Sequence, residues 1–374
     1  MLQIGTIDSL SAVEPRAWNG LAGTHPMLQH AFLHAMEETG CVGGDTGWMP
    51  CHLLAHEDTQ LVGAMPLYAK WHSYGEYVFD WAWADAYQRH GLDYYPKLLS
   101  AIPFSPVGAP KLLARDDTVR AALLETALKS AREGSSLHVL FPTELERSLA
   151  LQAGMMVRRG VQFHWHNRGY ASFEAFLATF SHDKRKKVRQ ERRKVTDAGI
   201  TFARRTGSAI REEDWQFFNR CYRTTYRAHH SSPYLKLDFF RTIGERMGEN
   251  LLLVIAEREG TPIAAALNIF DQQTLYGRYW GTTAFHSGLH FETCYYQGLE
   301  FCIERGIQVF EGGAQGEHKL ARGFDPVETH SAHWLAHPQF ADAVERFLDR
   351  EGKGIEQYID ELREHQAYKT DAAP

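Results

Sequence analysis

The run Glu311-Gly-Gly-Ala-Gln-Gly-Glu-His-Lys319 concentrates groups that move protons and hold charge. Three glycines in six residues imply unusual backbone angles or close approach to another group. His318 is the residue whose ordinary pKa best suits proton transfer near neutrality. Glu311 ends the strand ahead of the run. Gln315 and Glu317 add hydrogen-bonding groups, and Lys319 and Arg322 suit a phosphate or carboxylate. Glu292, nineteen residues before Glu311, can hold or deprotonate an amine. Its plainer reading is a carboxylate capping a helix start. Tyr295 and Tyr296 supply a hydroxyl that could protonate a leaving group, with packing the plainer role for at least one of them.

These residues need a scaffold, and the flanking pattern supplies one. Tyr276–Gly281 reads as an aromatic strand, followed by a loop holding Gly281, His286 and Gly288. A helix over Phe291–Arg305 and a short strand over Ile307–Glu311 come next. Strand, loop, helix and strand form one crossover unit of an α/β sheet. Such units bind ligands at the helix start and beyond the strand end. Gly281 and Gly288 would let the backbone approach a phosphate, and strand alternation predicts that Arg278 and Trp280 share a face. His286 and His290 stand four apart but lack the order of a zinc helix. His330, His333 and His337 cross a strand and a loop, so no metal site is expected.

A second charged feature is the helix predicted over Ser181–Ala198. Eight Lys/Arg fall between Lys184 and Lys194, and Arg185, Arg189 and Arg192 share one face. The alternatives are a solvated helix and an anion-binding one, the anion being a cofactor's nucleotide phosphates or an RNA backbone.

The remaining composition sets broad limits. The chain has 374 residues, 44% of them hydrophobic, and a net charge of −6, which suits about two soluble domains and excludes wholesale nucleic-acid binding. Five scattered cysteines without a CxxC pair read as reduced thiols. The N-terminus lacks the pattern of a signal peptide and no apolar run reaches membrane length, so a cytoplasmic location is expected. Alternating strands and helices give an α/β class, with domains expected over 1–166 and 167–374. The segment Glu76–Trp83 reads as a second aromatic strand. With Gly91–Leu98 it forms a faint echo of Tyr276–Gly281 and Glu292–Leu299, the Tyr-Tyr pairs lying 201 positions apart. That period implies two copies of one domain.

FEGGAQGEHKLARGFDP, YGRYWG, LHFETCYYQGLEF and KRKKVRQERR together resemble predicted bacterial N-acyltransferases of the GNAT superfamily, once grouped as a family of unknown function. These are in turn similar to the Fem-type peptidoglycan aminoacyltransferases. The similarity extends from about Ser9 to Glu364. It implies tandem GNAT-like (acyl-CoA N-acyltransferase) domains with mixed central sheets flanked by helices. It also implies an acyl donor and an amine acceptor. The loop TTAFHSGLH lacks the family's usual Gln/Arg-x-x-Gly-x-Gly/Ala sequence for acyl-CoA. Acyl-CoA is therefore one expected co-substrate and aminoacyl-tRNA the alternative, with Gly281, His286, Gly288, Arg185, Arg189 and Arg192 as donor-binding candidates. Arg278, Trp280, Gln315, Glu317, Lys319 and Arg322 are candidates for holding a small-molecule or peptide amine. Glu292, Glu311, His318 and Tyr295 are the candidates for catalysis. The expected activity is transfer of an acyl group from a thioester to an amine. Fem-like transfer to a peptide or cell-wall precursor, and a non-catalytic ligand-recognition module, are the alternatives.

Overall fold

The computed structural model describes residues 1–313 and 316–369, which fall into two compact units. The first comprises Met1–Gly160 and Glu328–Gln357, the second Val161–Val327 and the segment from Tyr358 onward. This division differs from a break at 166/167: Glu328–Gln357 returns to the first unit.

In the first unit, β1 (Leu2–Ile7), β3 (His52–Glu57), β4 (Gln60–Met65) and β7 (Leu113–Ala114) form one antiparallel sheet in the order β1-β3-β4-β7. A tight turn at Asp58-Thr59 joins β3 to β4 as a hairpin. A second sheet takes β2 (Trp48–Pro50), β5 (Tyr68–Lys70), β6 (Lys97–Ser100) and β8 (Ser136–Leu140). The pair β6 and β8 is parallel, with α4 (Asp117–Ala131) in the connection. Asp116 caps α4 by accepting from the Val119 amide at 2.9 Å. The inward face of α4, including Leu123, Leu124 and Ala127, packs with Leu137 and Val139 of β8. Helix α5 (Glu144–Gln152) starts with a full capping box between Thr143 and Glu146. Helices α1 (Pro15–Ala22) and α2 (His30–Glu38) lie between β1 and β2 in the chain.

The second unit begins within β9 (Met156–His166) and contains α6 (Phe173–Ala178) and the basic helix α7 (His182–Asp197). Strands β10 (Ile200–Thr206), β11 (Leu251–Arg258), β12 (Thr261–Phe270) and β13 (Thr274–Thr282) run antiparallel in that order. β13 then pairs in parallel with β14 (Val309–Glu311), and β14 pairs antiparallel with β9. The continuous apolar run Leu251–Ala256 is buried throughout, as a central strand covered on both faces requires. Helices α8 (Glu212–Ala228) and α9 (Leu237–Met247) contribute Trp215, Phe218, Tyr222 and Phe240 to an aromatic layer that reaches Tyr279 of β13. Helix α10 (289–305) connects β13 to β14, and β15 (Asp325–Leu335) and α11 (Pro338–Glu364) complete the chain.

Each unit therefore contains one parallel strand–helix–strand crossover: β6–α4–β8 in the first, β13–α10–β14 in the second. The structural repeat does not coincide with the faint echo in the sequence. Trp71–Asp80 carries no strand, Trp81–Arg89 is a helix (α3), and Tyr94-Tyr95 precedes β6 instead of lying in a helix. Glu76 and Asp80 are buried against Lys97, and satisfying those charges overrides the alternating aromatic pattern. Within Phe104–Leu113, only Leu113, in the two-residue β7, belongs to a strand.

Gly281 is fixed by packing between elements. A Cβ there would lie 2.1 Å from the Cys221 carbonyl oxygen of α8. Helix backbone cannot retreat without losing the aromatic layer. Gly281→Ala is expected to cost about 1–3 kcal/mol through overpacking. Urea denaturation of the full chain checks this, and an unchanged midpoint would refute it.

Candidate active site at the splayed edge of the second unit

β13 and β14 pair only over Thr274–Tyr276 and Val309–Glu311. β13 then continues to Thr282, while the other chain turns away at Gly312 and Gly313. The two strands thus diverge, and the edge of β13 beyond Tyr276 faces no strand on that side among the described residues. Gly313 makes the departure possible. Its φ is +85°, and a Cβ there would stand 3.7 Å from the Gly277 carbonyl oxygen. The chain returns as a 3₁₀ helix over Glu317–Arg322.

Side chains from three elements meet below this gap. Trp280 of β13 lies 5.0 Å from the His290 ring, and His290 lies 5.5 Å from Tyr295 and 6.0 Å from His318. The Tyr295 hydroxyl and His318 Nε2 form a hydrogen bond at 3.1 Å. Partial burial, then the neighbouring Arg322 and Lys319 cations, lower His318 from the usual histidine range to about 4, although one side of the residue stays exposed. Burial brings His290 down to about 4 as well. Both rings are therefore neutral at pH 7. Burial pushes the Tyr295 phenol up, so it keeps its proton. Lys319 is buried, donates to the Gly313 carbonyl at 2.9 Å, and is lowered by desolvation to about 8.

Helix α7 holds this cluster in place through its inward face. Glu191 accepts from both Arg322, at 2.8 Å, and the Tyr296 hydroxyl. The Arg322 guanidinium also donates to the His318 carbonyl and stacks 3.4 Å from the Phe291 ring centroid. The next residue of α7, Arg192, forks onto Glu292 at 2.9 and 3.0 Å and reaches Glu300 at 2.7 Å. Gln297 donates to Glu292 as well. Glu292–Tyr296 is a π turn within α10, and its wider spacing sends Tyr295 to His318 and Tyr296 to Glu191.

The structure thus brings Trp280, Tyr295, His318, Lys319 and Arg322 together. Glu311 faces His164 across the β14–β9 ladder, at the point where β14 ends. Glu292 is a buried ion-pair partner of Arg192, so both are committed to holding α7 against α10. Arg189 pairs with Glu174 at 2.6 Å, and Arg185 is half-buried one turn before it. Gly288 has φ +85° and packs on α7, where a Cβ would meet the Glu191 carbonyl at 3.2 Å. Like Gly281, it serves helix packing. A bulge at Arg278 interrupts the alternation, and its guanidinium lies 5.0 Å from the Tyr279 ring, so the expected common face with Trp280 is not kept. His286 is half-buried in the loop before α10, and Glu317 accepts from Tyr358 at 2.6 Å. Gln315 lies outside the described residues. His333 bonds His138 at 2.7 Å in the first unit. Among the described residues no group of three or more His, Cys, Asp or Glu is arranged to hold a metal ion, and no helix is long and apolar enough to cross a membrane.

Two site residues escape a reading by spacing. His290 shows only as one half of a weak His pair, and Glu191 only as a compensating charge in a basic run. Their partners are up to 131 positions away.

Two crossover units in tandem, the second with a splayed parallel pair above a Tyr–His hydrogen bond, define a tandem GNAT-like α/β protein. The chain belongs to the FemAB-like family, described as peptidoglycan biosynthesis/recognition, whose model matches residues 9–370. Among solved structures it is similar to FemX, at 12% identity and a TM-score of 0.55, covering 89% of this chain and 98% of that one. L-PGS from Bacillus licheniformis gives 10% identity and a TM-score of 0.55, covering 92% and 99%. A conserved protein of unknown function from Bacteroides thetaiotaomicron gives 11% and 0.52, covering 89% and 99%. At these identities the likeness is one of fold. No curated protein matches the sequence.

Arg192→Ala leaves Glu292 buried without its cation, which typically costs about 3–5 kcal/mol. A fall of that size in unfolding free energy is expected, with less loss in Glu292→Gln. A larger loss in Glu292→Gln than in Arg192→Ala would overturn the ion-pair assignment.

Proposed function

We propose that the second unit transfers an acyl or aminoacyl group to an amine, with the Tyr295–His318 pair carrying the proton. The observation behind this reading is that hydrogen-bonded pair beside the open edge of β13. In the proposed step the amine nitrogen attacks the acyl carbon, a C–N bond forms and the thioester or ester bond breaks. Neutral His318 takes the amine proton, directly or through water. Tyr295 gives its proton to the departing sulfur or oxygen and recovers one from His318. The net result moves one proton from the amine to the leaving group. Beyond Tyr276, where pairing with β14 stops, backbone N–H groups of β13 would stabilise the negative charge building on the carbonyl oxygen. The membership of a family described by peptidoglycan biosynthesis or recognition supports an amine on a peptide or cell-wall precursor as the acceptor.

General acid–base groups typically contribute 10²- to 10⁴-fold. His318→Ala and Tyr295→Phe are each expected to lower turnover by roughly that factor. The double variant should lose little more than either single one, since the two act as a unit. In the unaltered protein the acid limb of kcat should fall near pH 4, where His318 is protonated, and not near 6.5. Mass-spectrometric detection of the acylated amine provides the readout. Full turnover in both single variants would dismiss the assignment.

Among donors, the outward side of α7 favours a polyanionic carrier. Lys186, Lys187, Arg193 and Lys194 are exposed there, whereas Glu191 and Arg192 turn inward. A donor carried on tRNA would use about four phosphate contacts, so affinity should drop roughly a hundredfold between 50 and 200 mM salt. Filter binding of tRNA at the two salt concentrations measures this, and a flat response favours the acyl-CoA donor.

A further inference from the structure

The first unit contains a loop that reverses the usual burial rule. Between β5 and α3, residues Trp71–Asp80 bury Ser73, Glu76 and Asp80. The same loop leaves Trp71, Tyr74 and Phe79 each 57% exposed, and Trp81, at the start of α3, is 39% exposed. Charged residues normally occupy the outer positions and aromatics the inner ones. Here the polar residues serve as anchors. Buried Lys97 donates to Ser73 at 2.9 Å and Glu76 at 2.7 Å, and pairs with Asp80. Tyr94 donates to Asp80 at 2.6 Å. Buried Lys70 donates to the Tyr74 carbonyl at 3.2 Å, and the Trp48 indole donates to that same oxygen at 3.2 Å. Arg158 donates to the Phe79 carbonyl at 2.6 Å. The loop is thus tied down from below at both ends and in the middle. Above it, Tyr74 and Trp81 meet edge to face at 4.8 Å.

The chemistry of this surface narrows its ligand. Two lysines and two carboxylates cancel beneath it. From Trp71 to Arg89 the exposed charges are Asp85 and Arg89, which pair with each other. An anionic membrane would call for lysine or arginine beside the rings, and the one exposed arginine of this segment, Arg89, is paired with Asp85. The four exposed rings offer roughly 400 Å² in total, taking about 200 Å² for a whole aromatic side chain. That is about half of what one partner contributes to a standard protein interface, and it matches a few sugar rings. Pyranoses of the glucose type, β-linked, carry equatorial substituents and axial C–H groups, so both faces are apolar and stack on indole and phenol rings.

We propose that Trp71, Tyr74, Phe79 and Trp81 form a preorganised platform for a short, uncharged oligosaccharide of β-linked glucose-type pyranoses. The assignment does not depend on the acyl-transfer reading of the second unit. The test is titration of the full chain with chitotetraose and with cellotetraose, followed by tryptophan fluorescence and calorimetry. Saturable binding is expected for at least one of the two. Trp71→Ala and Trp81→Ala should each weaken it tenfold or more, and in Trp71→Ala, whose ring is more than half exposed, the unfolding midpoint should stay within a degree or two. No saturable binding of either oligosaccharide would overturn the proposal, as would unchanged affinity in the Trp71→Ala/Trp81→Ala double variant. Co-sedimentation with phosphatidylglycerol vesicles, or a Trp71-dependent dimer in sedimentation velocity, in place of sugar binding would overturn it in favour of a membrane or a second copy.

Discussion

The contact of α7 with α10 governs the second unit. Arg192 and Glu292 are both withdrawn from water, and each makes the other's burial tolerable. Glu191 repeats the arrangement with Arg322 one helical position away. The two pairs alternate in sign along α7, Glu191 to a cation and Arg192 to an anion, so a helix sliding by one position would place like charges together. This fixes the register of α7 against α10 and the 3₁₀ segment. The Tyr295–His318 hydrogen bond is a product of that register, since Tyr295 belongs to α10 and His318 to the 3₁₀ segment.

The same contact explains the neutrality of the site. Arg322 is drawn in by Glu191 and lies against Phe291, which leaves a fixed positive charge beside His318. A histidine near a fixed cation gives up its proton readily and stays available as an acceptor. Lys319, held by the Gly313 carbonyl, adds to this and itself lies close to deprotonation near neutrality. The basic helix therefore has two distinct faces. One builds the site's electrostatics through internal pairs, and the other keeps its cations in solvent.

Much of this was legible in the residues. Helices α4 and α5 start where Asp116 and Thr143 stand as caps, because such signals are local. The crossover from Tyr276 to Glu311 was legible for the same reason, and so was the clustering of polar groups after β14. What escaped notice depends on distance in sequence. Glu292 looks like a helix cap until Arg192 is found a hundred positions before it. Gly281 suggests room for a ligand until α8 is seen to fill that room. The segment Glu76–Trp83 alternates like a strand, but Lys97 captures its two carboxylates and the backbone follows them. In each case a long-range electrostatic or steric demand outweighs local preference.

The π turn in α10 has a consequence for how this helix can change. A π turn is in effect an α-helix carrying one surplus residue, accommodated by widening a single turn. Deleting one residue within Glu292–Tyr296 would let the hydrogen-bond ladder close regularly, at little cost to the helix as such. Because the widened turn absorbs the extra residue, the stretches on either side would keep their mutual phase, with Leu289 before it and Leu299 and Cys302 after it still buried. What would change is the turn itself, where Tyr295 now reaches His318 and Tyr296 reaches Glu191. The surplus residue thus lets two adjacent tyrosines serve two different partners without disturbing the helix around them.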